Sequence, residues 1–342
     1  MRKNELARLV EVTPMAITHY ENGDRQPNMD IIKRFASVLG VRVADFLTVR
    51  NENLVFSHGD FRKHASLNKS QQMYIHESVE EYFNRYMTIV EILGGDILPI
   101  TPPAHGLTVS EDSEADAKSL RTHLRLACDG PVSNLTEILE NKGFLLFFLD
   151  IDSNNFSGIN GFVNGRPYIV VNRNMSPERN RSTIAHELAH LMFDWPDNME
   201  DKDVEKTATA ISGAFLFPAS DAIRELGVRR SSISKDMVLV TKEYGVSMYL
   251  LVKRANLLGI ITDGAAKDFY IKAGRLGWKK NEPSRIAEEL PIFFEQLVYR
   301  AVNEDEISIQ KGAELLQTSY EEVYSKCCFD KDVEVQNEFE AG

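Results

Sequence analysis

The chain has 342 residues, 43% of them hydrophobic, with 51 acidic against 39 basic side chains and a formal net charge of −12. That length has room for two or three domains with buried cores, and the acidic balance excludes a protein that binds nucleic acid over its whole surface. No run of 18 apolar residues, no apolar leader and only three cysteines argue against a membrane span, a secretory signal and a disulfide framework, so a cytoplasmic protein is expected.

Residues 5–49 follow the pattern of a helix-turn-helix. Leu6, Ala7 and Val10 share one apolar face. Thr13 is placed to cap a second helix with Pro14 at its first position, and Gly23 sits just past its end. That helix turns Pro14, Met15, Thr18 and His19 toward a DNA major groove and packs Ala16, Ile17 and Tyr20 inward. A small helical bundle that makes only protein contacts is the alternative. With Tyr20-Glu21-Asn22-Gly23 and the following Pro27, the stretch resembles the lambda-repressor-like (XRE) domains. Domains of that type open with one further helix, and this chain starts at what would be their second. Residues 1–50 carry only a slight excess of Lys and Arg, so any DNA contact is confined to this end. The resemblance implies paired half-sites read by a homodimer.

Residues 51–114 read as a helical connector and hinge. Residues 61–93 place Tyr74, Val79, Tyr82, Phe83, Tyr86, Ile89 and Val90 mostly at helical spacing, an aromatic stripe of the kind that fills a core rather than a binding box. Residues 99–106 and the acidic 110–116 follow as the flexible joint. The next domain, 115–258, opens with helices at 117–128 and 134–141 that feed a buried strand beginning near Phe144. Residues 165–172 form another β-rich strand, which either presents an edge to an extended peptide or lies in a core sheet.

His186-Glu187-Leu188-Ala189-His190 carries the chemistry. Residues four apart share a helix face, so both imidazoles reach one metal ion while Glu187 touches a water bound to it. Zinc lowers the pKa of such a water to about 7, and the carboxylate takes its proton as attack on a peptide carbonyl begins. Ser176 is the expected N-cap and Pro177 the first helical residue. Ile184, Leu188, Leu191 and Met192 form the buried stripe, and Trp195-Pro196 closes the helix. A catalytic zinc takes three protein ligands and keeps one position open. Asp194 shares the face of the two histidines, but eight residues rise about 12 Å along a helix, too far for one ion at about 2 Å from each donor. The following helix, 203–217, ended by Pro218, is the better source. Glu205 is preferred there. Asp201 and Asp203 remain alternatives that also suit a solvated acidic helix start.

Residues 179–193 (Arg-Asn-Arg-Ser-Thr-Ile-Ala-His-Glu-Leu-Ala-His-Leu-Met-Phe) and residues 205–218, ending Phe-Leu-Phe-Pro, resemble the ImmA/IrrE family of metallopeptidases. The run Gly158-Ile159-Asn160-Gly161-Phe162 is similar to that family's segment before its edge strand. Ile211, Ser212, Phe215 and Phe217 depart from the usual residues and change packing alone. The resemblance implies an α+β, mostly helical chain with a central zincin-like (gluzincin-type) domain holding a small sheet. It also implies His186, His190 and Glu205 as metal ligands and Glu187 as general base. Zn2+ is the implied cofactor, although Mn2+ or another divalent ion suits the same donors. The implied function is a regulatory endopeptidase that cleaves a repressor-type protein and has no membrane partner. The rival is an antitoxin-like DNA-binding regulator whose metal domain senses a signal or binds a partner without cutting.

Residues 259–342 read as a helical C-terminal domain. Trp278-Lys279-Lys280-Asn281-Glu282-Pro283 and Glu289-Leu290-Pro291 resemble the extension of long members of the same family. Residues 307–316 and 318–324 form either a second small helix-turn-helix or a docking helix pair. His58, His64, His76, His105 and His123 are given packing or surface roles, and the adjacent Cys327 and Cys328 no metal.

Overall fold

The computed structural model describes residues 1–41, 43–46, 54–59, 67–102, 104–278 and 281–328. The chain divides into two units, Met1–Glu52 and Asn53–Gly342. In the first, α1 (Lys3–Val10), α2 (Pro14–Glu21) and α3 (Met29–Leu39) precede a 3-10 turn at Val43–Phe46. Thr13 Oγ1 accepts the Ala16 N–H at 3.1 Å, and Pro14 begins α2 where no amide donor is required. Asn28 caps α3 in the same way, through the Ile31 N–H at 2.9 Å. Ala7, Val10, Ile17 and Phe35 form the core, with Tyr20 packed edge-on to Phe35. Residues 42 and 47–50 of the expected domain lie outside the described residues.

The second unit opens with β1 (Phe56–His58), α4 (Lys69–Ile92), β2 (Leu107–Thr108), α5 (Ser113–His123) and α6 (Leu135–Glu140). Then come β3 (Leu145–Leu149), β4 (Gly158–Val163), β5 (Arg166–Asn172), α7 (Pro177–Met192), β6 (Phe193–Asp194) and α8 (Asp201–Leu216). The remaining helices are α9 (Ala219–Leu226), α10 (Met237–Tyr244), α11 (Met248–Leu257), α12 (Asp263–Arg275), α13 (Phe293–Asn303), α14 (Ile309–Leu316) and α15 (Tyr320–Cys327). Four strands pair in the order β1-β4-β5-β3, β3 parallel to β5 and the other pairs antiparallel. Alternate residues of a strand face opposite sides. Leu146, Ile169 and Val171 accordingly join the core with α5, α7 and α8, while Leu145, Tyr168 and Val170 join that of α4 and α13.

β5 lies between β4 and β3, so residues 165–172 present no edge. Pro167 to Asn172 are all buried, as an interior strand covered on both faces requires. α4 begins at an Asn68–Gln71 capping box, and residues 61–66 of the expected helix lie outside the described residues. α7 ends at Met192, earlier than Trp195-Pro196 suggested. The chain leaves the helix to pair Phe193 and Asp194 with Leu107 and Thr108. In the stretch read as a hinge, Arg166 donates to the Pro99 carbonyl, the His105 N–H donates to the Leu191 carbonyl, and buried Asp116 accepts the Ser110 N–H. Arg85 of α4 reaches the Leu315 carbonyl at the end of α14. Lys279 and Lys280 of the tail motif lie outside the described residues. No helix among the described residues is long and apolar enough to cross a membrane.

Candidate metal centre

α7 is anchored at both ends. Ser176 Oγ accepts the Arg179 N–H at 3.4 Å and Pro177 opens the helix. Glu178 accepts the Ile286 N–H at 2.9 Å, and Arg181 donates to the Val132 and Ser133 carbonyls and pairs with Glu289. Burial holds the Arg181 pKa below its usual value, and the Glu289 carboxylate opposes that shift. Further along, Ile184, Leu188, Leu191 and Met192 are fully buried. The helix therefore projects His186, Glu187 and His190 from a fixed backbone.

α8 runs against α7 and is clamped at its far end. Arg121, itself buried, donates to the Phe215 carbonyl at 2.8 and 2.6 Å, and Arg254 donates to the Phe217 carbonyl at 3.0 Å. Glu205 lies one turn into α8 and meets both histidines. Its Oε2 is 3.2 Å from His186 Nε2, its Oε1 is 3.2 Å from His190 Nε2, and the two imidazole nitrogens are 3.2 Å apart. A tetrahedral ion with donors at about 2.0–2.1 Å separates each donor pair by about 3.3 Å. The three side chains thus have the spacing and the mixed nitrogen–oxygen chemistry of a single divalent site. Among the described residues, they are the one such group of three drawn this closely together. Asp194, Asp201 and Asp203 are exposed and stand outside the group.

Glu187 is 9% exposed, and its Oε2 accepts a hydrogen bond from Asn160 Nδ2 at 2.6 Å. Both side chains line a cleft of about 1070 Å³ together with the three clustered ligand candidates. Tyr249 and Lys253 of α11 and Tyr270 of α12 line the same cleft. Burial raises the Tyr249 pKa, with Glu282 adding to the shift. His58, His76 and His105 stand apart from the group of His186, His190 and Glu205. His58 links Tyr168 Oη (2.5 Å) to Glu80 (3.0 Å) and stacks on His76, whose pKa is lowered by burial and then by His58. His105 Nδ1 meets the Phe193 carbonyl at 3.0 Å, and His64 lies outside the described residues.

In the N-terminal unit, Pro14, Met15 and His19 are exposed on α2. His19 pairs with Asp24 at 3.1 Å. Thr18 is half-buried; its hydroxyl donates to the Pro14 carbonyl and accepts from Lys3.

Local spacing could not assign a role to Asn160, because its partner lies on another element 27 residues away. The same holds for Tyr249, Lys253 and Tyr270, which reach the cleft through the packing of α11 and α12.

Residues 139–256 match the family model of the IrrE N-terminal-like domain, the ImmA/IrrE metallopeptidase type. Residues 1–46 match that of a helix-turn-helix. No curated protein matches the chain. The chain thus joins an XRE-type helix-turn-helix to a metallopeptidase-like domain of a family that implies a divalent metal ion.

Proposed function

We propose that this protein is a metal-dependent endopeptidase that regulates transcription by cutting a repressor-type protein, working in the cytoplasm where its N-terminal domain meets DNA. His186, His190 and Glu205 hold the ion, with Glu187 as general base. The single observation that carries the reading is the cluster of His186, His190 and Glu205, each imidazole Nε2 3.2 Å from the other and from one Glu205 oxygen, beside a buried carboxylate in an open cleft. When bound, the ion supplies a water acidic enough to ionise near pH 7 and polarises the scissile carbonyl, with Zn2+ preferred for this donor set. Glu187 takes the water's proton and returns it to the leaving amine. The open cleft of about 1070 Å³ beside these residues has room for a peptide segment. On α2, the exposed Pro14, Met15 and His19 and the half-buried Thr18 are the residues proposed to meet DNA, in a homodimer reading paired half-sites.

The test incubates metal-loaded wild type and Glu187→Gln with candidate repressor proteins and follows fragments by mass spectrometry. Cutting by wild type, with a loss of at least about a hundredfold in Glu187→Gln, is expected for removal of a general base. A repressor that is bound tightly but left intact by wild type would favour the non-cleaving regulator instead.

A further inference from the structure

Resting on the reading of Glu187 as base, we infer that Asn160 is its positioning residue. Its amide N–H occupies one carboxylate oxygen and leaves the other as the proton acceptor. The contact joins two separately fixed elements. Asn160 belongs to β4, held in register opposite Ile169 of β5, and its carbonyl also accepts the Gly59 N–H at 2.8 Å. Gly59 comes so close that a Cβ there would lie 2.7 Å from the Asn160 carbonyl oxygen, so the backbone of Asn160 is enclosed from both sides. Glu187 is fixed from the other direction by the buried stripe of α7.

A carboxylate only accepts hydrogen bonds, so the amide must present its nitrogen. The 2.6 Å bond from Asn160 Nδ2 is made to Glu187 Oε2. Oε1 receives no hydrogen bond from the described residues and is not sealed from solvent. The two oxygens of Glu187 are therefore inequivalent: Oε2 is tied to the sheet, and Oε1 is left to the cleft. A charge-assisted bond of this kind restrains rotation of the carboxylate and keeps its free oxygen aimed at one place.

The test uses the full chain loaded with Zn2+ and the probe acetohydroxamic acid, which chelates a metal ion through both oxygens as the hydroxamate and passes its O–H proton to a neighbouring carboxylate. Affinity is read by calorimetry, with zinc content and melting temperature measured alongside. Asn160→Ala is expected to keep its zinc and bind the probe about tenfold more weakly, the size of one charge-assisted hydrogen bond. Asn160→Asp should bind more weakly still, because an acceptor then faces an acceptor. A packing role predicts the reverse order, since Asp matches Asn in volume and Ala leaves a void. The reverse order, wild-type affinity in both variants, or loss of zinc from either would overturn the inference. Glu187→Gln keeps the two failures apart: if it binds the probe as tightly as wild type, the role of Glu187 itself is wrong.

Discussion

At Glu282, burial outweighs hydrogen bonding. Its carboxylate accepts the Met248 N–H at 3.2 Å, yet burial, aided by the nearby charge of Glu178, raises its pKa to about 7 from 4.5. The folded state thus holds this proton more tightly than the unfolded chain. The corresponding stability is complete below the unfolded value of 4.5 and is lost as pH rises through the folded value of about 7. Glu282→Gln keeps an acceptor for Met248 without the charge. Urea unfolding should show the variant gaining about 1–2 kcal/mol over wild type between pH 5 and pH 8, a figure discounted for partial exposure. Parallel pH profiles would contradict this. Residues of the candidate site differ in legibility for a simple reason. His186, Glu187 and His190 are set by the geometry of one helix, so their grouping follows from spacing. Glu205 was one of three acids near a helix start, separated from the others only when α8 packed on α7.

β4 illustrates how an element is positioned by the side chains it lacks. A Cβ on Gly158 would lie 2.6 Å from Thr183 Cγ2 of α7 and 2.7 Å from the Val170 carbonyl of β5. Gly158→Ala must push β4 away from the helix that carries the site, and denaturant unfolding should show a loss of about 1–3 kcal/mol. Gly274, in α12, has open space around its missing Cβ. Its alanine variant should be neutral or stabilised by up to about 1 kcal/mol. Equal effects at the two glycines would contradict the packing described. The helices were legible because caps and apolar stripes are local: Ser176-Pro177, Thr13-Pro14 and the Val79–Phe83–Tyr86 stripe each mark their own element. The strands were less so. Residues 165–172 form a near-continuous apolar run that leaves edge and interior undecided, and only pairing with both β3 and β4 resolves it. β1 and β6 are too short to leave a periodic signal.

Across the whole chain, a small three-helix unit precedes a much larger unit that carries the candidate metal centre. Net charge is −12, so the proposed DNA contact is confined to the first unit, and the proposed catalysis belongs to the second, which carries the His186, His190 and Glu205 group. The proposed division of labour requires His186, His190 and Glu205, from two helices of the larger unit, to hold one ion. Metal content of the purified full-length chain after dialysis against trace zinc tests this most directly, measured for wild type, Glu205→Ala and Glu187→Gln. The account predicts one ion per chain in wild type and in Glu187→Gln, and retention weakened at least about a hundredfold in Glu205→Ala, which has lost a direct ligand. An ion held equally well by Glu205→Ala, or none held by the wild type, would contradict it.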